Sequence, residues 1–150
     1  MTSTPKICTL KILRRFHAAR SGASAVEFAL VLPAFMAIVF GIVMFGSYLA
    51  MVHGVQQLAA EAARSSVAGL SENERSLLAN NYITGNVKSY PLIVPNRLTV
   101  NAATSGSDAN VFVVTVNYDA SGSFIYSLPS FVPAPPATIV RSAAIPRGGY

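Results

Sequence analysis

Any chemistry in this chain must come from few groups: six acidic residues, two histidines and one cysteine among 150 residues. His17 and His53 are far apart, and no Cys/His/Asp cluster has metal-ligand spacing. There is no Gly-x-Ser-x-Gly and no Walker-type glycine loop; the one Gly-Gly pair is Gly148-Gly149 at the tail. Asp108 and Asp119 flank an apolar stretch and read as turn residues rather than a general acid–base pair. An enzyme needs polar groups converging on a pocket, so the sequence points away from catalysis and implies no metal and no cofactor. That leaves Glu27, in RSGASAVEFALVLPAF (residues 20–35), the one acid at the mouth of a long apolar run. A carboxylate at a bilayer centre costs about 2.5–3.5 kcal/mol, and less near the end of a span. Either Glu27 lies at the interface and reaches the headgroups, or it meets a positive partner.

The element that positions it is easy to read. Phe28 to Val52 is 25 residues without a charge. At about 1.5 Å per residue a helix of that length crosses a hydrocarbon core of roughly 30 Å. The run is far longer than the roughly 7–15 residues of a cleavable signal's apolar region, so a retained anchor is expected. Lys6, Lys11, Arg14, Arg15 and Arg20 precede it with no acid among residues 1–22, while residues 23–150 hold six bases and six acids. The basic balance therefore belongs to the tail and not to a nucleic-acid-binding face, and it sets the N-terminus inside and the C-terminal part outside. Small residues at helical spacing, Gly46, Ala50 and Gly54, offer a stripe for close helix packing. Pro33 frees the carbonyl of Ala29, so a kink or local loosening is expected there. Cys8, the single cysteine, allows no internal disulfide and has no apolar region before it.

RRFHAARSG followed by ASAVEF resembles the prepilin leader of the Flp, or tight-adherence, class: a basic leader, a glycine at the cut, then glutamate at +5 and an aromatic at +6. The resemblance implies cleavage by a prepilin peptidase between Gly22 and Ala23, with Glu27 at +5 and Phe28 at +6. Glycine lets a protease approach without a Cβ in the way. The new α-amine on Ala23 would stand i, i+4 from Glu27, so the carboxylate could face it or the amine of a neighbouring subunit. AVEFALVLPAFMAIVFGIVMFGSYLAMVHGVQQLAAEAARSSVAG is similar to the TadE-type minor pilins, or pseudopilins, of this system, through Val26 to Pro33, Phe45-Gly46 and Ala62-Ala63-Arg64. The likeness covers roughly the first 70 residues, and the C-terminal half follows only in outline. It implies a role for Glu27 and Pro33 in assembly and a single-pass protein of a bacterial inner membrane with a periplasmic head, possible pilus association included. Its implied partners are membrane lipid, the peptidase, other Flp/Tad pilins and assembly-platform proteins, and no nucleic acid.

Beyond the membrane the expectation is a small α+β head. The domains read as a leader (1–22), a transmembrane helix (23–52) and a head (53–150). Residues 53–69 continue the helix, with an apolar stripe from Val55 to Val67 and a stop at Gly69. SENE (71–74) fits a capping box, Ser71 as N-cap and Glu74 at N3, that opens a helix over 72–82 packed by Leu77, Leu78 and Tyr82. Residues 97–104 and 111–118 read as a hairpin around SGSDAN, the second strand central and covered by a helix; 137–145 is a third strand. The uncharged, aromatic stretch 119–136, apart from Asp119, is a loop that folds over the sheet or meets a partner. Two rivals stand beside the pilin reading: an uncleaved single-pass membrane-anchored periplasmic binding module, and a small membrane-anchored enzyme or accessory subunit with a polar pocket in its head.

Overall fold

The structure is a computed structural model that describes residues 20–129 and 133–147. Two compact units divide at Phe40/Gly41. The first unit's described part is helical throughout. It belongs to helix α1, Arg20–Ser66, which includes Pro33 in an unbroken helical run. One lost hydrogen bond at the Ala29 carbonyl does not end a helix of this length. Nearly all side chains from Gly22 to Phe35 are exposed, apolar ones included. By length and composition this helix is suited to crossing a membrane.

The second unit begins with the remaining part of α1 and contains helix α2, Glu72–Asn86, and strands β1, Leu98–Thr104, β2, Val111–Asp119, and β3, Thr138–Pro146. All three strands are antiparallel in the order β1-β2-β3. The α+β class and the three-strand sheet agree with the sequence reading, strand ends differing by a residue. The hairpin loop is the SGSDAN segment: Ser105 N–H donates to Val111 O at 2.8 Å and Asn110 N–H to Asp108 Oδ1 at 2.8 Å. Alternation sorts the central strand, with Phe112, Val114, Val116 and Tyr118 at 0–1% exposure and Val111, Val113 and Thr115 half-buried. The other half of the core comes from α1, where Met51, Val55, Leu58, Ala59, Ala62 and Ala63 are buried.

Local chemistry moves two boundaries and keeps a third. α1 stops at Ser66 rather than at Gly69 because Ser65 and Ser66 turn their hydroxyls back onto the carbonyls of Ala62 and Ala63 (2.8 and 2.7 Å) and the chain tightens through Gly69 N–H to Ser66 O. Gly69 serves another purpose: a Cβ there would lie 2.7 Å from the backbone nitrogen of Arg75. α2 starts at its expected cap, Glu74 N–H donating to Ser71 Oγ at 3.2 Å, while the Glu74 carboxylate takes the Leu70 N–H at 2.9 Å. It runs a turn past Tyr82 because Ala79, Ile83 and Val87, spaced by four, are buried. That stripe corrects the expected packing face: Leu77 is exposed, and Leu78 and Tyr82 are only half-buried.

Candidate functional site: the leader junction and the anchor helix

The residues that could be cut and then paired lie at the start of α1. Gly22 and Ala23 lie within the helical run of α1. Both are exposed, and nothing lies within 4 Å of where a Cβ on Gly22 would sit. Glu27 and Phe28 are exposed one turn further on, among Val26, Leu30 and Val31, which are also exposed. Helical spacing places Glu27 above Ala23 on the same face. The surface is thus one carboxylate in an apolar collar, with Pro33 a turn and a half beyond it.

In the second unit the small-residue stripe serves two different environments. Gly46 and Ala50 are exposed, and the position of a Cβ on Gly46 is open. Gly54 is taken up within the chain: a Cβ there would meet Ile93 Cδ1 at 3.0 Å and Tyr90 Cδ1 at 3.2 Å. Ala50 and Gly54 line a small apolar pocket of about 140 Å³ with Tyr90, Pro91, Leu92 and Ile93. Phe45 is 44% exposed, whereas Ala62 and Ala63 are buried and Arg64 is exposed, held to Glu61 at 2.9 Å. The two alanines let the end of α1 pack closely in the core.

Several structural residues of the head escaped the sequence reading. Arg75 is buried, and its Nε donates to Gly69 O at 2.9 Å, pinning the turn after α1. It lies in a polar run that reads as a solvent face, so no pattern marks it. Ser76 Oγ donates to Ala102 O at 2.7 Å and Thr104 N–H to Glu72 Oε1 at 3.0 Å, so α2 covers the outer edge of β1. The Thr104 N–H holds the Glu72 carboxyl below its usual value. Ser121, through its hydroxyl and its N–H, does the same for Asp119, which also faces Arg97 at 3.7 Å. Tyr118 donates to Leu92 O (3.2 Å) and accepts the Val94 N–H (3.3 Å), which ties the proline-punctuated connector to the sheet.

A concavity of about 460 Å³ lies between α2 and β1, lined by Asn80, Thr84, Lys88 and Thr99 with apolar neighbours and by no acid or histidine. Among the described residues no group of three or more His, Cys, Asp or Glu comes together to hold a metal. The class defined by these features is a small α+β head on one long apolar helix that is compatible with a single-pass membrane anchor. Residues 22–64 match the model of the TadE-like protein family, so the chain carries a TadE-like segment, consistent with a protein of Tad pilus systems. The matched segment opens on Gly22 and closes on Arg64; the sheet and α2 lie outside it. No curated protein and no solved structure matches the chain.

Proposed function

We propose that this protein is a minor pilin, or pseudopilin, that takes part in building a Flp-type (Tad) pilus. The observation that carries the reading is a coincidence of position: the family match starts at Gly22, at the end of the basic leader, and encloses Glu27 and the apolar helix. In this account the chain enters the inner membrane with residues 1–22 in the cytoplasm and is cut after Gly22 by a prepilin peptidase. Cleavage leaves an α-amine on Ala23, one helical turn from Glu27. In lipid, pairing those charges within one chain or between neighbours removes much of the cost of holding each alone. Pro33 and the open Gly46/Ala50 surface then serve contacts with other pilins or the assembly platform, and the head selects the partner. The test is a Gly22→Val variant expressed beside an active Flp-class peptidase. A valine at the cut blocks conversion to the shorter form, while the parent chain converts; equal conversion of both would sink the proposed cleavage site.

A further inference from the structure

The surface of α1 changes character within the second unit. Facing away from the head it carries Ile42, Phe45 and Leu49, at 69%, 44% and 53% exposure, and then the exposed His53, Gln56, Gln57 and Arg64. Apolar gives way to polar between Leu49 and His53. The opposite face is already covered at Met44, 2% exposed, and stays covered through Met51 and Val55. Met44 precedes Leu49 by five positions, about 8 Å along the axis. The head therefore starts to cover α1 at a level where the helix's other face is still apolar.

The segment that reaches this level follows β2. Tyr118, at the end of β2, bonds Leu92 O and the Val94 N–H, and Leu92 lines an apolar pocket with Ala50 and Gly54 of α1. Residues 120–137 contain no charged side chain. A short 3-10 turn, Phe124–Ser127, is fixed from inside by Ile125 at 0% exposure, and Tyr126 Oη donates to Pro136 O at 2.9 Å. Phe124, in contrast, points out and is 51% exposed. Aromatic side chains on uncharged backbone at the end of a membrane helix suit the zone where hydrocarbon meets headgroups. The hairpin turn with Asp108 lies at the other end of β2.

We propose that the turn Phe124–Ser127 that follows β2 is seated in the lipid interface with Phe124 inserted, so that the head is held to the membrane by this turn as well as by α1. This rests on α1 being a membrane anchor. The experiment uses the full chain with Cys8→Ser, carrying an environment-sensitive fluorophore at Ile38→Cys, Phe124→Cys or Ser107→Cys. Each is reconstituted alone in phosphatidylethanolamine/phosphatidylglycerol vesicles, with and without nitroxide-bearing lipids. Phe124 is over half exposed, so its replacement leaves the core intact. The expected result is a blue-shifted Phe124 label quenched most by shallow nitroxides, an Ile38 label quenched most by deep ones, and an unquenched Ser107 label. An Ile38 label quenched from the deep position beside a Phe124 label that stays aqueous would overturn the seating of the turn and leave the anchor standing. An Ile38 label that itself stays aqueous would overturn the anchor and the seated turn with it.

Discussion

Replacing Gly69 by alanine separates two physical effects of opposite sign. Gly69 does not adopt a positive φ, so alanine costs nothing in backbone conformation and restricts the unfolded chain. That alone would stabilise by about 0.4–1 kcal/mol. The added Cβ, however, would stand 2.7 Å from both the backbone nitrogen and Cγ of Arg75 and 3.0 Å from its Cα. Relaxed carbon contacts lie near 3.5–4.0 Å, so the turn must retreat by about 1 Å. Two of the three obstructing atoms are backbone and cannot rotate away. Retreat also strains the bond from Arg75 Nε to Gly69 O, now 2.9 Å. Overpacking of this kind costs about 1–3 kcal/mol, which outweighs the gain. Gly85 is the control, a glycine inside α2 with nothing within 4 Å of its would-be Cβ; Gly85→Ala should stabilise by about 0.5–1 kcal/mol. Thermal unfolding of the full chain in detergent, followed by near-ultraviolet circular dichroism of the tyrosines, should show the midpoint falling by several degrees for Gly69→Ala and rising for Gly85→Ala. A Gly69→Ala protein as stable as its parent would refute the close approach of the turn to α2.

Tyr118→Phe keeps the ring but leaves Leu92 O and Val94 N–H without their partner, so the same unfolding assay should register a loss of about 1–3 kcal/mol. Acid should weaken the head. Glu72 and Asp119 are held below their usual values of 4.5 and 3.8, so their contribution is complete above those values and fades as pH falls through the lower folded ones. A Glu72→Gln variant should lose part of that acid sensitivity in a pH series of melting midpoints; an unchanged series would show that the Thr104 contact contributes nothing. Glu27→Gln should leave the protein in the membrane yet impair its entry into the pilus assembly, read by co-purification with the other pilins, and normal entry would remove Glu27 from the mechanism.

Much of the head was legible because the forces that build it are local in sequence. The run Val111 to Tyr118, apolar on both faces and bounded by SGSDAN, reads as a central strand, and that strand is central with Phe112, Val114, Val116 and Tyr118 inside. Ser71 and Glu74 announce the start of α2 through hydrogen bonds spanning three and four residues. What escaped depends on distant partners. The buried face of α2 is chosen by the sheet, and so falls on Ala79 and Ile83 rather than on the larger Leu77. Arg75 is buried because the turn after α1 offers it a carbonyl, and Gly54 is needed because Tyr90 and Ile93 press against α1. At the leader junction the reverse holds. Gly22, Glu27 and Phe28 stand out in the sequence by position relative to the basic tail and the apolar run, while the fold adds only that they share one exposed stretch of α1.

The central claim is that the chain passes through prepilin processing, and the mature N-terminus tests it most directly. Intact mass and N-terminal sequencing of the protein recovered from membranes, with and without an Flp-class peptidase, should give a chain beginning at Ala23 only where the peptidase is active. A chain that still begins at Met1 or Thr2 beside an active peptidase would contradict the claim and favour an uncleaved, membrane-anchored binding module.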